Sequence, residues 1–333
     1  MMRIGLDEWS VHHMDTPAYD KLDLVERHGL EGIQFADALS LSKTLDHGEL
    51  REIAAEAKRR GLYLEMGIPG LNILRPSPKA LQAGQGDFMN GQRKLLEAAA
   101  ATGAKVIRTF AGGPGDRLRR GTEWQAQMQG SVILAKHLAP LARELGVILA
   151  FETHADVTSF ELLRILEQIG EDDVAKVCLD TGNFPIVLED PLAATRRLAP
   201  HVIATHFKDC ITELSESGIT VNCRPVGTGI LPAAEILAVL KPLHPDLTLS
   251  IEDHEGVFHL DIFKDGWQRS YPDAAPDEID WLVAQAGKSK ERIASGEIPL
   301  TEQLEQIPWA DQADERICIG TANLKRILQE ATI

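Results

Sequence analysis

Four segments of this 333-residue chain are short apolar runs that close on a residue able to bind a metal ion. VILAFE ends at Glu152, AKVCLD at Asp180 and LTLSIE at Glu252, and HVIATHF carries His206 as its next-to-last residue. Runs of this length and composition read as buried strands. Alone, each polar terminus would serve as a salt-bridge partner or a helix cap. At corresponding ends of successive strands, the four can converge. Three carboxylates and one imidazole form a set dominated by oxygen donors and free of thiolates. That set suits one divalent ion, with Mn²⁺ the expected occupant and Mg²⁺, Co²⁺ or Zn²⁺ as alternatives.

A second tier follows from the two-residue period of a strand, which brings alternate side chains to one face. His154 follows Glu152 by two, Lys208 follows His206 by two and His254 follows Glu252 by two. An imidazole titrates near neutral pH, so His154 is a candidate for proton transfer, or alternatively a hydrogen-bond partner that orients Glu152. Lys208 could hold a substrate anion, or pair with Asp209 or another carboxylate. Arg108, in KVIRTF, could grip a substrate carboxylate or hydroxyls through parallel hydrogen bonds, or pair with Glu65 or Glu152. Arg224, before PVGTG, carries the same two readings. Trp9, His12 and His13 follow the first apolar run and are candidates to line a substrate pocket with His254. Asn183 either supports Asp180 or shapes the turn after it.

Eight apolar runs carry these residues: RIGLD from Arg3, GIQFA from Gly32, LYLEM from Leu62, KVIRTF from Lys105, VILAFE from Val147, AKVCLD from Ala175, HVIATHF from His201 and LTLSIE from Leu247. Amphipathic stretches such as LREIAAEAKRRG and FELLRILEQIG lie between them, several closing on Gly as helix ends do. Eight β runs alternating with α segments predict an α/β fold, a (β/α)₈ TIM barrel over residues 1–254. In such a barrel the functional face is the C-terminal ends of the strands. A doubly wound open sheet is the alternative, but no GxGxxG follows the first run. Residues 255–333 form a C-terminal helical extension, with helices expected at PDEIDWLVAQAGKSKERIASG and near TANLKRILQE. The extension is expected to pack on the barrel or on a neighbouring subunit of a homo-oligomer, or alternatively to act as a lid.

The formal charge of −16 disfavours nucleic acid and anionic membrane as partners, leaving a small molecule. Four cysteines without close spacing fit a reducing compartment. No run is long enough to span a membrane and no signal peptide is apparent, so a cytoplasmic location is expected.

FETH around Glu152, CLDTGN around Asp180, THFKD around His206, RPVGTG from Arg224 and SIED around Glu252 resemble the xylose-isomerase-like superfamily of barrel enzymes, the sugar phosphate isomerases/epimerases, over residues 3 to 253. That resemblance implies Glu152, Asp180, His206 and Glu252 as metal ligands. It also implies a keto sugar or sugar acid as substrate, reacting through a metal-stabilised enediolate. Isomerisation or epimerisation follows, with Glu152 and Glu252 as base and returning acid. The superfamily also holds lyases, namely decarboxylases, dehydratases and eliminases of keto sugars and their acids. The ketose 3-epimerase branch reads ExxNRxE from the first ligand, whereas this chain runs Glu152-Thr-His-Ala-Asp-Val-Thr158, and it has Asn183 where that branch has His. Endonuclease IV-type DNA repair enzymes share the barrel, but they need more histidine ligands and a polyanion-binding surface. A non-catalytic sugar-binding barrel is the remaining alternative.

Overall fold

The computed structural model describes residues 1–113, 115–118, 121 and 123–330. All eight expected apolar runs are strands. They are β1 (Arg3–Asp7), β2 (Gly32–Phe35), β3 (Tyr63–Gly67), β4 (Val106–Thr109), β5 (Ile148–Glu152), β6 (Ala175–Asp180), β7 (Val202–Phe207) and, eighth in the barrel, β10 (Thr248–Ile251). They close in the order β1-β10-β7-β6-β5-β4-β3-β2, with every pairing between neighbours parallel. The register sets Asp180 beside His206, and Glu152 beside Cys178 two residues before Asp180, so the expected ligands share one end of the barrel.

Helices α1 (Ala18–Arg27), α2 (His47–Arg59), α3 (Pro78–Ala83), α4 (Phe88–Ala101), α5 (Trp124–Leu145), α6 (Ser159–Ile169), α7 (Pro191–Leu198) and α8 (Ala233–Leu240) surround the strands. Local chemistry explains the start of α6, the helix that follows β5. Thr158 caps the helix by accepting the Glu161 N–H, and Glu161 returns the favour to the Thr158 N–H, a reciprocal capping box. Gly170 ends the helix at φ +67°, a left-handed conformation that glycine adopts without a Cβ penalty.

The strands that separate β7 from β10 were not expected. β8 (Asp209–Leu214) and β9 (Ile219–Arg224) form an antiparallel hairpin, and β11 (Val257–Leu260) adds to β9. Asp209 anchors the loop that returns from this sheet to the barrel. Its carboxylate accepts the N–H groups of Cys210, Gly227, Gly229 and Leu231 at 2.8–3.0 Å. Gly229 is required there, because a Cβ would lie 2.1 Å from the Cys210 carbonyl oxygen. The glycines of PVGTG thus wrap Asp209.

The residues after 254 form β11, α9 (Pro276–Ala294), α10 (Thr301–Glu305) and α11 (Trp309–Glu330). Helix α9 lies against β8. Helix α11 packs on α8, β1 and β10, and Ile317, Leu324 and Ile327 belong to the same core as the barrel. The segment expected as an extension therefore supplies the outer helix that covers the seam between the first and last barrel strands. No described helix is long and apolar enough to cross a membrane.

Candidate metal centre

Glu152, Asp180, His206 and Glu252 converge at the C-terminal end of the barrel, each offering one ligand atom within 4.8 Å of the others. His206 Nδ1 is 2.6 Å from Glu252 Oε2, 3.4 Å from Glu152 Oε1 and 4.0 Å from Asp180 Oδ2. All four residues are buried. Among the described residues, His206 Nδ1 and Glu152 Oε2 are buried without a partner in hydrogen-bond geometry. Buried polar atoms of this kind are costly unless something occupies them. Three oxygen donors and one ring nitrogen brought this close together, two of their atoms outside hydrogen-bond geometry, fit a divalent cation.

Two cations already offset part of the negative charge. Arg108 Nη2 is 2.5 Å from Glu152 Oε2, an ion pair outside hydrogen-bond geometry. Lys208 Nζ bridges Asp180 Oδ2 at 2.8 Å and Glu252 Oε1 at 2.7 Å. Lys208 therefore pairs with ligand carboxylates, while the neighbouring Asp209 is taken up by backbone N–H groups. Burial pushes the Glu152 carboxyl up, but Arg108 and His206 outweigh it and hold the group below its ordinary range. Glu252 is lowered likewise, by Lys208 and His206 against burial. Burial dominates at Asp180, whose pKa is pushed up to about 7 although Lys208 opposes it. Asn183 supports Asp180, donating from Nδ2 to Oδ2 at 2.7 Å.

A cavity of about 570 Å³ opens over the centre. Trp9, Arg108, His154, Lys208 and His254 line it, together with Glu152 and Glu252. His154 is fixed on two sides: its ring stacks on Phe110 at 4.6 Å, and Nδ1 lies 2.9 Å from the Gly112 carbonyl oxygen. A carbonyl only accepts, so Nδ1 carries the proton and Nε2 is left as the basic nitrogen. Burial lowers the pKa of the ring. His254 Nδ1 donates to the Glu255 carbonyl at 2.7 Å, and its Nε2 is 3.6 Å from Glu252 Oε1.

Two expected residues lie elsewhere. His12 lines the cavity, stacked on Trp9 at 4.7 Å, and His13 does not. Arg224 is buried at the end of β9, where Nη2 donates to Thr301 Oγ1 at 2.9 Å and Nη1 to the Cys223 carbonyl at 3.0 Å; it is not part of the cavity wall. Arg224 ends the second strand of the unexpected hairpin, where it is paired in register with Asp209.

The sequence reading passed over Asp7, Gln34 and Lys79. Asp7 ends β1, with Oδ2 3.3 Å from His206 Nε2, and lines the cavity. The strand-end rule that found the four ligands, applied to RIGLD, would have found it. Gln34 Oε1 meets His206 Nε2 at 2.6 Å. Lys79 lines the cavity rim from α3, paired with Asp37 at 2.6 Å, and nothing in its local sequence marks it.

The family model described as "Xylose isomerase-like TIM barrel" matches residues 22–285, and the chain belongs to that family. The chain is 23% identical over 212 residues to 3-oxo-isoapionate decarboxylase of Pectobacterium atrosepticum, covering 63% of this chain and 68% of that protein. Among solved structures, L-ribulose 3-epimerase superposes with a TM-score of 0.63 at 19% identity, covering 100% of this chain and 96% of that one. The probable 3-DHS dehydratase AsbF of Bacillus anthracis superposes with a TM-score of 0.57 at 19% identity, over 85% of this chain and 99% of that one. At these identities the two structural likenesses establish the fold.

Proposed function

We propose that this xylose-isomerase-like barrel is a divalent-metal-dependent lyase acting on a keto sugar or keto sugar acid. The observation that carries the reading is that a cation holds each of the two glutamates a two-base epimerisation would need, Arg108 on Glu152 and Lys208 on Glu252. Epimerisation at carbon needs a proton removed from one face and returned to the other. Carboxylates stabilised as anions by close cations are poor bases for that work. The same cations suit an anionic substrate: Arg108 and Lys208 line the cavity and can locate a carboxylate or a developing oxyanion. A decarboxylase among the curated relatives agrees with this choice.

A divalent ion held by Glu152, Asp180, His206 and Glu252, with Mn²⁺ favoured by the oxygen-rich set, supplies Lewis acidity toward the substrate's carbonyl and hydroxyl oxygens. The protein's own groups do the rest. His154 Nε2 accepts a proton from a substrate hydroxyl or from the carbon beside the carbonyl. Lys208 offsets the negative charge that develops on oxygen when the bonding pair of a departing group moves there. His254, beside Glu252, is placed to donate a proton to the leaving group or back to carbon. Trp9 and Phe258 give the cavity an apolar wall against a sugar ring.

The test is incubation of the Mn²⁺-loaded protein with candidate keto sugars and keto sugar acids, read by product mass. Loss of CO₂, water or a larger substituent is expected. A product of unchanged mass would mean isomerisation or epimerisation and overturn the lyase assignment. Absence of any metal binding would overturn the enzyme reading itself.

A further inference from the structure

Beneath the four ligands, a row of polar side chains crosses the barrel interior from β7 through β2 to β3 and β10. His206 Nε2 meets Gln34 Oε1 at 2.6 Å, Gln34 Nε2 donates to Glu65 Oε2 at 2.9 Å, and Thr248 Oγ1 donates to Glu65 Oε1 at 2.5 Å. Gln34 is 1% exposed, and none of Gln34, Glu65 and Thr248 lines the cavity. The row therefore touches no substrate, yet it ends on a metal ligand.

An amide can present either end to a neighbour, and a neutral imidazole can carry its proton on either nitrogen. The row fixes both choices. A Glu65 carboxylate only accepts, so it faces the NH₂ end of Gln34. Gln34 then turns its carbonyl oxygen to His206. That oxygen only accepts, so Nε2 of His206 carries a proton, and the lone pair offered to a divalent ion would be that of Nδ1, the atom that faces Glu252, Glu152 and Asp180. We propose that Gln34 and Glu65 are positioning residues that set the tautomer and ring orientation of His206 for the divalent ion. The inference rests on the metal-dependent reading and deepens it. Asp7 Oδ2, at 3.3 Å from the same Nε2, is the weaker rival for the role by distance.

The polarity of the row can be reversed, which gives a test that loss of packing cannot imitate. Metal-free protein is titrated with Mn²⁺ by calorimetry and with Co²⁺ by visible absorption, neither of which depends on turnover. Gln34→Leu removes the acceptor and is expected to weaken Mn²⁺ binding roughly 10- to 100-fold and to change the Co²⁺ band, the range typical of groups that orient a ligating histidine. Gln34→Glu alone sets two carboxylates against each other and should also weaken binding. The double exchange Gln34→Glu with Glu65→Gln restores one acceptor toward His206 and one donor between positions 65 and 34, and should bind Mn²⁺ within about threefold of the unaltered protein. Should Gln34→Leu fail to fold, Glu65→Gln alone, which frees the amide to turn, is expected to show several-fold weaker binding. Gln34→Leu binding as tightly as the unaltered protein would overturn the proposal. So would a folded double exchange binding no better than Gln34→Glu alone. An unaltered protein that binds neither Mn²⁺ nor Co²⁺ would overturn the metal reading as well.

Discussion

Replacing Arg316 by Met should unfasten α11 from the barrel. Arg316 Nε and Nη2 hold the two oxygens of Asp253 at 2.8 and 2.5 Å, Nη2 also donates to the Cys223 carbonyl at 2.8 Å, and Nη1 reaches Gln312 Oε1 at 3.1 Å. The guanidinium lies over Trp309, 4.9 Å from the ring centroid. Arg316 is 6% and Asp253 1% exposed, so the pair is screened from water. Met fills much of the volume but leaves the Asp253 carboxylate buried without a partner cation. Burial already raises that carboxyl's pKa against the pull of Arg316. Breaking one side of such a pair costs roughly 3–5 kcal/mol. By the scaling of melting temperature with the unfolding entropy of a chain this long, that is a fall of roughly 4–7 °C. Chemical denaturation monitored by circular dichroism measures it. The double replacement Asp253→Asn with Arg316→Met leaves no buried charge and should recover at least about half of the loss. Because Asp253 directly follows Glu252, Mn²⁺ affinity should fall in the single variant and return in the double. A loss below about 1 kcal/mol, or a double variant as unstable as the single one, would refute the claim that this pair is a buried clamp.

Glu152→Gln should abolish Mn²⁺ binding and turnover while leaving the far-ultraviolet circular dichroism spectrum unchanged; retention of both functions would remove Glu152 from the site. His154→Gln should lower kcat by roughly 10²- to 10⁴-fold with Mn²⁺ affinity nearly unchanged, because the ring meets Gly112 and Phe110 and no hydrogen bond joins it to a ligand among the described residues. Equal losses in metal binding would instead assign it to orienting Glu152. Asp156 gives a pH prediction. Burial raises its carboxyl from 3.8 to about 7, the Asp116 N–H only partly offsetting this. A folded-state pKa above the unfolded one means the group adds stability below about pH 4, and that this contribution is lost as pH rises through about 7. Stability should therefore drop over that window by on the order of 4 kcal/mol from this group, and Asp156→Asn should flatten the profile in denaturation curves measured from pH 5 to 8. An unchanged slope in the variant would place the titration elsewhere.

What the sequence disclosed and what it hid divide along a physical line. Strand ends in a parallel barrel must point at one face, so the ends of VILAFE, AKVCLD, HVIATHF and LTLSIE could be read from local pattern as four groups that converge. Which carboxylate Lys208 pairs with was left open between Asp209 and others, because it depends on where the N–H of Cys210 and three N–H groups of the glycine loop go once the chain has folded. The β8–β9 hairpin was hidden for a different reason. Its strands, DCITEL and ITVNCR, follow motifs that already had a reading, and only the antiparallel register and the pairing with β11 identify them as a sheet. Arg224, open to a substrate-binding or a structural reading in the sequence, is held at the end of β9 by Thr301 and the Cys223 carbonyl.

Residues after 254, one of them on the strand paired with the hairpin, form one side of the cavity. Phe258 stands on β11, which exists because β9 offers it an edge. His12, stacked on Trp9, reaches Glu255 at 3.3 Å, so the loop after β1 and the loop after β10 hold each other across the opening. Glu305 on α10 accepts the Gly256 N–H and the Asn222 side-chain amide, tying that loop to the small sheet and to the C-terminal helices. The four candidate ligands thus stand at the ends of barrel strands, whereas His254, Glu255 and Phe258 reach the cavity from the segment that the small sheet and the C-terminal helices hold.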